Sequence, residues 1–204
     1  LIHFVAELRE LSGGKPIGFK LCIGNPAEFV SICRAMKTLA IYPDFITVDG
    51  AEGGTGAAPL EFTNSIGMPW MEGLTLVHDT LELMGLREHV RIITSGKVVT
   101  GFNLFKALAL GADVVNSARG MMLALGCIQA RRCNTNHCPT GVATNDPGLA
   151  RGLVITDKTV RVANYQNQTV KALAEMMGAC GIEKTDDIRR SHIFRRTQTG
   201  HVVD

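Results

Sequence analysis

The chain has 204 residues, of which 46% are apolar and 20% charged, and its formal net charge is +2; this is the composition of an ordinary globular protein. Both signs of charge are scattered along the chain, so neither nucleic acid nor an anionic membrane surface is expected as the main partner. The sequence has no apolar run of the roughly 20 residues that a membrane-spanning helix needs, and it shows no secretory signal pattern.

The first predicted element is a helix. Residues 1–11 carry apolar side chains at helical spacing, and Phe4, Leu8 and Leu11 share one face. We expect this face to pack against the rest of the protein. Because the chain begins at Leu1 rather than at methionine, we also expect it to be a piece of a longer polypeptide.

A strand followed by a helix is then predicted four times. The apolar runs that predict the strands are residues 17–23, 45–48, 91–94 and 113–115. Asn25 and Thr100 are typical helix caps and predict where two of the helices begin. Short apolar strands that alternate with helices are typical of a buried parallel sheet. Because a complete eight-unit barrel takes about 250 residues, four units favour half of a (β/α)8 barrel, and an open doubly wound sheet is the alternative.

The predicted organisation is a single domain in three parts. Residues 1–126 hold the four βα units, residues 127–150 form a loop that contains cysteines, and residues 151–204 form a helical C-terminal tail. The helix of the tail is predicted to bury one stripe of side chains, formed by Val162, Tyr165, Thr169, Leu173 and Met176.

Three of the six cysteines, Cys127, Cys133 and Cys138, lie within twelve positions in the pattern C-x5-C-x4-C-P. Six cysteines are too sparse for a disulfide scaffold, so this group predicts metal chemistry in a reducing compartment such as the cytoplasm. Zinc sites usually have four ligands, and His137 is the one candidate for a fourth. A three-iron cluster needs only three thiolates, and a proline can follow a ligating cysteine in iron–sulfur sequences. The alternative is three free thiols that bind no metal.

Polar or glycine-rich loops follow the second, third and fourth predicted strands. Their candidate cofactor-binding residues are Gly50, Gly53, Gly54 and Thr55, then Ser95, Gly96 and Lys97, then Asn116, Ser117, Ala118 and Arg119. In a barrel these loops share the face that carries active sites. Backbone N–H groups together with Lys97 and Arg119 predict an anionic cofactor bound through a phosphate. Taken singly, each loop indicates no more than a tight turn.

Lys20 lies in the middle of the first predicted strand. A lysine that points into a cofactor site would stabilise negative charge on a reduced flavin or hold a substrate carboxylate. The alternative is a lysine that extends past the strand end to reach water. The sequence pattern alone leaves both interpretations open.

Four segments of the chain then match a known family, and they occur in its order. Residues 126–144, with the three cysteines and Asn-Thr-Asn-His-Cys-Pro-Thr-Gly-Val-Ala-Thr, are similar to the [3Fe–4S] loop of glutamate synthases. The Glu-Gly-Gly-Thr-Gly-Ala loop at 52–57, the Gly-Met-Pro-Trp turn at 67–70 and the Gly-Lys-x-x-Thr-Gly segment at 96–101 resemble the same family. The resemblance spans roughly residues 15–150 and makes the chain similar to the carboxy-terminal part of the family's FMN-binding barrel.

The resemblance implies an FMN-binding (β/α)8 barrel in which 2-oxoglutarate and ammonia, free or derived from glutamine, give glutamate. It also implies that a [3Fe–4S] cluster relays electrons from ferredoxin or from an NAD(P)H-oxidising reductase subunit. By the same resemblance, Lys20 would lie near flavin and oxo acid, and Gly53, Gly54, Gly96 and Lys97 would face the flavin. The remaining implied roles are phosphate binding by Asn116, Ser117, Ala118 and Arg119 and cluster ligation by Cys127, Cys133 and Cys138.

The chain departs from the family's pattern at four places, which bear on substrate more than on cofactor. Glu52 and Ser95 stand where the family has aspartate, residues 22–24 replace Ser-Glu, and Asn116-Ser117 replaces Gly-Phe. Three hypotheses therefore remain open. The chain is part of a glutamate-forming enzyme, part of an FMN oxidoreductase with another product such as an N-substituted glutamate, or a fragment or interaction subunit with no competent site.

A half-barrel has two open strand edges, which either self-association or the missing half of the barrel would cover. The isolated 204-residue chain is therefore expected to be inactive alone.

Overall fold

The computed structural model describes residues 1–51, 58–196 and 202–203. Its main sheet has four parallel strands that are neighbours in chain order. The strands are β1 Gly18–Cys22, β2 Phe45–Asp49, β3 Arg91–Ser95 and β4 Val114–Asn116. All four predicted strands are therefore confirmed, with bounds that differ by one residue. A two-residue antiparallel pair, β5 Arg195–Arg196 and β6 Val202–Val203, lies near the C-terminus.

Helices follow each strand of the main sheet. The α helices are α1 Ile2–Leu11, α2 Pro26–Leu39, α3 Leu60–Asn64, α4 Trp70–Leu83, α5 Gly101–Ala109, α6 Arg119–Ala124, α7 Pro147–Ala150 and α8 Ile155–Ala179. Short 3-10 turns are Arg87–His89, Thr185–Asp187 and Arg190–His192. Within the described part of the chain, no helix combines the length and the apolar character needed to cross a membrane.

Both predicted helix caps are confirmed. The Asn25 side chain accepts a hydrogen bond from the N–H of Ala27 at 3.0 Å, directly before α2. Thr100 accepts one from the N–H of Asn103, whose side chain in turn accepts the N–H of Thr100 at 3.1 Å. Each cap satisfies backbone donors that the first turn of a helix leaves without partners. These local rules explain why α2 and α5 begin where they do.

The main core lies between one face of the sheet and helices α2 and α4. Ile46 and Val48 of β2 and Ile92 of β3 are fully buried there, against helix residues such as Met36 and Leu74. Burying a side chain of this size contributes about 1.5–3 kcal/mol. Helices α2 and α4 pack on this face, and the strand side chains that alternate with the buried ones lie on the opposite face of the sheet.

The predicted packing face of α1 is wrong. Phe4 and Leu11 are 54% and 75% exposed, whereas Ile2 and Val5 are buried. The helix is apolar on two sides, and Ile2 on the buried side belongs to the main core. Helical spacing identifies an apolar stripe, but which of two stripes is buried depends on tertiary contacts.

Two aspartates fasten the amino-terminal ends of the strands in the same way. Asp44, just before β2, accepts hydrogen bonds from the N–H of Ile17 at 2.7 Å and from Arg9 at 2.8 Å. Asp113, just before β4, accepts them from the N–H of Ile92 at 2.7 Å and from Arg87 at 2.8 Å. Each aspartate therefore joins its own strand to the neighbouring one and pairs with an arginine.

The C-terminal tail packs on the outside of the helical layer. Its long helix α8 lies against α5 and α6, and a second small core forms around Phe105, Ala109 and Ile188. The predicted stripe of α8 is confirmed, because Thr169 is buried and the other four members are half-buried. Further along, Arg190 pairs with Asp79 of α4 at 2.8 Å.

Candidate functional site

The sheet face opposite the helices carries the predicted site residues in register. Side chains alternate along a strand, so Thr47 and Asp49 point away from the face on which Ile46 and Val48 are buried. The row at the carboxyl ends of the strands is Cys22, Asp49, Ser95 and Asn116. The row below it is Lys20, Thr47, Ile93 and Val114. The structure therefore places Lys20, Ser95 and Asn116 on one face, as a single site requires.

Lys20 reaches from its own row to the row above. Its Nζ lies 2.5 Å from Oδ2 of Asp49, and its side chain is 61% exposed. Asp49 is itself oriented, because its Oδ1 accepts the N–H of Ala51 at 3.1 Å. A cavity of about 430 Å³ beside this pair is lined by Lys20, Cys22, Asp49 and Phe62, among others. Lys20 is thus an inward-facing ammonium group held at the mouth of a cavity.

Cys22 also lines this cavity, but its thiol is in the neutral form. Burial raises the pKa of Cys22 above its usual value, a backbone hydrogen bond of Met68 acts in the opposite direction, and the charge of Asp49 raises the pKa further. A protonated thiol is a weak nucleophile and a poor metal ligand. Cys22 therefore shapes the cavity rather than supplying a reactive thiolate.

Gly50 and Gly96 have a packing role that the sequence did not reveal. A Cβ at Gly50 would lie 2.3–2.5 Å from backbone and Cβ atoms of Trp70, and one at Gly96 would lie 2.8 Å from the Cβ of Trp70. Trp70, the single tryptophan of the chain, is buried, and Lys106 Nζ lies 5.3 Å from its ring centroid. Trp70 thus packs directly against the carboxyl ends of β2 and β3.

The loops after β3 and β4 contact each other. Ser117 donates a hydrogen bond to the carbonyl of Val98 at 2.8 Å, while Lys97 is exposed in a left-handed conformation with φ 43°. Ala118 and Arg119 lead directly into α6. These loops hold the predicted phosphate-binding residues next to each other. The remaining predicted residues of the loop after β2, Gly53, Gly54 and Thr55, lie outside the described residues.

The three predicted metal ligands differ in their surroundings. Cys127 is half-buried, Cys133 is exposed and Cys138 is buried. Among residues 1–51, 58–196 and 202–203, no three His, Cys, Asp or Glu side chains are placed as a metal site. The Thr140 hydroxyl, 3.4 Å away, and the N–H groups of Ala143, Thr140 and Val142 together outweigh the opposing effect of burial and lower the pKa of Cys138 to about 7. The thiolate is the form that binds iron, so the donor chemistry of Cys138 fits a metal.

The cysteine loop has an unusual backbone. Gln129, Arg131 and Asn136 adopt left-handed conformations, with φ of 57°, 55° and 63°. The Asn136 side chain accepts the N–H of Asn145 at 2.7 Å, and Thr144 donates to the Asn136 carbonyl at 2.6 Å. Left-handed residues other than glycine cost about 1–3 kcal/mol each and concentrate at ligand sites. Their position between the cysteines supports a ligand-binding loop.

Positive side chains of α8 lie beside the start of this loop. A Cβ at Gly126 would lie 3.6 Å from Nζ of Lys158 and 3.8 Å from Nη1 of Arg161. The Lys158 side chain is largely buried and pairs with Asp157 at 2.9 Å. These two cations lie 31 or more positions after Cys127 in the chain, and sequence reasoning missed them because only the packing of α8 brings them there.

Four parallel βα units with polar residues at the carboxyl ends of the strands define part of a (β/α)8 enzyme barrel. A double mutant of flavocytochrome b2 with pyruvate bound has this fold and is similar, with a TM-score of 0.53 over 90% of this chain and 36% of that chain. A flavocytochrome b2 mutant with benzoylformate gives 0.52 over 91% and 37%. At 13% and 14% identity these matches show the fold alone. They confirm the barrel class over the open doubly wound sheet.

The chain belongs to the glutamate synthase family, whose conserved region matches residues 1–183. It is 41% identical to the glutamate synthase large subunit-like protein YerD of Bacillus subtilis, over 100% of this chain and 39% of YerD. It is 34% identical to the archaeal glutamate synthase [NADPH] of Methanocaldococcus jannaschii, over 93% and 36%, and 38% identical to the chloroplastic ferredoxin-dependent glutamate synthase of Spinacia oleracea, over 92% and 11%. The chain thus spans less than two fifths of each relative.

Proposed function

We propose that this chain is part of an FMN- and iron–sulfur-dependent oxidoreductase that converts 2-oxoglutarate and ammonia to glutamate. One observation carries the proposal. The Lys20–Asp49 pair lies on the open inner face of the sheet, in one row with Ser95 and Asn116, in a chain of the glutamate synthase family. Ammonia, free or derived from glutamine, condenses with the ketone and releases water, and the resulting C=N bond takes up two electrons and two protons.

Lys20 would hold a carboxylate of the oxo acid. An ammonium group is a compact point charge with three donors, which suits a carboxylate that enters from the cavity. Asp49 positions the ammonium from one side and leaves it 61% exposed on the other. The lysine therefore orients the substrate, and the cavity that it shares with Cys22 and Phe62 limits the substrate's size.

FMN, when bound, would supply the two electrons of the reduction. The proposed ring-facing residues are Gly50, Gly53, Gly54, Thr55, Ser95, Gly96 and Lys97, and the proposed phosphate-binding residues are Asn116, Ser117, Ala118 and Arg119. Support comes from the loops after β3 and β4, which touch through Ser117 and Val98, and from the exposed cation of Lys97. Glycines allow the backbone to approach a flat ring closely.

Cys127, Cys133 and Cys138 are the proposed ligands of a [3Fe–4S] cluster, which would supply single electrons from ferredoxin or from a reductase subunit that oxidises NAD(P)H. The lowered pKa of Cys138 and the left-handed residues between the cysteines support this role. Lys158 and Arg161 would offset the negative charge of an iron–sulfur centre. All six cysteines are free, which suits a reducing compartment such as the cytoplasm.

A second candidate is an FMN oxidoreductase of the same architecture that makes another product, such as an N-substituted glutamate. Two residues favour it. Cys22 and Ser95 place a neutral thiol and a hydroxyl in the row at the carboxyl ends of the strands, where the family's pattern has Ser-Glu and Asp. A less acidic cavity would accept an amine that carries an apolar substituent. The two candidates differ in the amine, and both use the same proposed cofactors.

The inner face needs a cover in either case. The β1 and β4 edges have no strand partner in the described sheet, and Val114 of β4 is half exposed. We propose that further polypeptide of the parent protein, or a second copy of the chain, closes the barrel. The isolated chain would then bind cofactor weakly and have no activity alone.

The test is an anaerobic absorbance spectrum with flavin and iron assays, made on the 204-residue chain and on its parent protein. Flavin bands and about three irons per parent chain are expected, together with reoxidation of the reduced flavin by 2-oxoglutarate and an amine. Cys138→Ser should lose iron, whereas Cys180→Ser, at an exposed free cysteine, should keep it. A parent protein without flavin would overturn the proposal, as would reduced flavin that no such substrate pair reoxidises.

A further inference from the structure

We infer that Tyr165 of α8 is a positioning residue that holds the loop after β3 in register with the proposed phosphate-binding loop after β4. This inference rests on the proposed FMN function and extends it to a helix outside the four βα units. Tyr165 lies 46 positions beyond Arg119, the last proposed phosphate-binding residue.

Two hydroxyl groups engage two consecutive carbonyls of the loop after β3. Tyr165 donates to the carbonyl of Val99 at 2.6 Å, and Ser117 donates to the carbonyl of Val98 at 2.8 Å. The two hydroxyl oxygens lie 3.4 Å apart. One hydroxyl comes from the tail and the other from the loop after β4, so the three segments meet at one point.

The phenol fits a space that is specific to it. A Cβ at Gly120, in the first turn of α6, would lie 1.9 Å from the Tyr165 hydroxyl oxygen and 2.9 Å from Ser117 Oγ. At the first turn of α5, a Cβ at Gly101 would lie 2.8 Å from the carbonyl oxygen of Thr169. Helix α8 therefore packs closely against two glycines. Gly101 follows the loop after β3, and Gly120 follows the loop after β4.

Val99 is fixed from both sides. Its carbonyl accepts from Tyr165, and its N–H donates to the side chain of Asn103 at 3.2 Å. Lys97, two residues earlier, has a left-handed φ of 43°, a conformation that persists only when the surroundings hold it. Loss of the phenol hydroxyl would release the Val99 carbonyl and let this segment shift relative to Ser117.

Among the proposed cofactor-binding residues, this contact directly involves Ser117, which is assigned to the phosphate of a flavin nucleotide, whereas Gly96 and Lys97, which are assigned to the ring, lie two or more positions before Val99. The expected consequence is selective. Without the Tyr165 hydroxyl, affinity falls for FMN and stays unchanged for riboflavin, which has the same ring and no phosphate. A loss of overall stability would instead weaken both flavins together.

The experiment is a titration of the flavin-free parent protein with FMN and with riboflavin, for wild type and Tyr165→Phe, with thermal melting as a check of folding. The Kd for FMN should rise about fivefold, the effect of one net hydrogen bond, and the Kd for riboflavin should not change. Tyr42→Phe is the matched control, because the only other tyrosine stacks on His89 at the opposite ends of the strands, with ring centroids 4.4 Å apart.

Equal losses for both flavins, or no loss for either, would overturn the inference while leaving the proposed function standing. A wild-type protein that binds neither flavin would overturn the proposed function and the inference with it. If Tyr165→Phe does not fold, Gly120→Ala tests the same contact, because its Cβ would displace the Tyr165 hydroxyl from the space that it occupies. It should show the same loss for FMN alone, and an unselective loss or none there would count against the inference equally.

Discussion

The two ends of the sheet are built differently. At the amino-terminal ends, Asp44 and Asp113 each bind an arginine and the N–H of a neighbouring strand. At the carboxyl-terminal ends, the ion pair of Lys20 is exposed, and the left-handed residue Lys97 follows β3. Polar groups satisfied within the protein stabilise the first end, and polar groups at the second end are left open to a cavity. Barrel enzymes commonly divide stability and chemistry between the two ends in this way.

The largest expected effect is on activity, from Lys20→Met at the carboxyl ends. Removing the ammonium group should lower the rate of reductive amination about 100- to 1,000-fold, as for other single charge-stabilising groups, with little change in melting temperature because the group is exposed. Rates of flavin reoxidation by 2-oxoglutarate and ammonia in the parent protein would measure this. Lys171→Met, at an exposed helical ion pair with Glu175, is the matched control. A normal rate in the Lys20→Met enzyme would show that Lys20 has no role in the reaction.

The next effect is on stability, from Asp113→Ala at the amino ends. Arg87 and Asp113 are only 15% and 21% exposed, so loss of the aspartate leaves a poorly solvated guanidinium and an unpaired N–H at Ile92. The free energy of unfolding should fall by about 3 kcal/mol, measured by urea denaturation. Glu175→Ala, which breaks an exposed pair, should change it by less than about 0.5 kcal/mol. Equal losses of stability in the two variants would mean that the buried Arg87–Asp113 pair contributes no more than an exposed ion pair.

Gly50→Ala tests whether the carboxyl ends also contribute to stability. The new methyl group would meet the backbone of Trp70 at 2.4–2.5 Å, and backbone cannot yield as a flexible side chain can. The expected destabilisation is about 2 kcal/mol from overpacking, measured by circular dichroism on heating. Gly178→Ala is the control, because nothing lies within 4 Å of its Cβ in helix α8. It should stabilise by up to about 1 kcal/mol, and a harmless Gly50→Ala would contradict the packing against Trp70.

The smallest effect is the pH dependence of the stability that Asp44 contributes through its bonds to Arg9 and to the N–H of Ile17. Burial would raise the pKa of Asp44, but hydrogen bonds from Arg9 and from the N–H of Ile17 outweigh it and lower the pKa below its usual value. The stabilisation is therefore complete above the unfolded-state pKa of about 3.9 and is lost as pH falls through the lower folded-state value. Wild type should lose stability more steeply than Asp44→Asn below pH 4, by about 1 kcal/mol or less. If the stabilities of wild type and Asp44→Asn fall in parallel below pH 4, the Arg9–Asp44 pair contributes nothing to the pH dependence.

Local chemistry accounts for what the sequence could predict. The strands follow from short apolar runs, and Asn25 and Thr100 cap their helices through side chains two and three residues from the groups that they bind. The position of Lys20 within β1 follows from the same apolar run, although which face it takes needed the pairing of β1 with β2. Such features depend on near neighbours in the chain, so a single sequence contains enough information to find them.

What the sequence could not predict depends on contacts between distant segments. Phe4 was expected to be buried and is exposed, because tertiary packing selected the other side of α1. Gly50 was assigned to a cofactor, although Trp70 already requires a glycine there. Tyr165 reaches a carbonyl 66 positions earlier in the chain. The left-handed turn at Gln129 has no signal in its residue type, since glutamine rarely adopts that conformation.

The position of Trp70 gives the protein a built-in optical probe. All indole emission comes from this one residue, which lies against the ends of β2 and β3. Its spectrum therefore reports on the ligand-facing end of the sheet, and a flavin bound there would quench it by energy transfer. Tyr42 stacks on His89 at the other end of the sheet. It lies close to Asp44, because Arg9 binds both Asp44 and the carbonyl of Tyr42. Selective excitation of the indole therefore follows the carboxyl end of the sheet alone, whereas tyrosine emission combines Tyr42 at the amino end with Tyr165 at the carboxyl end.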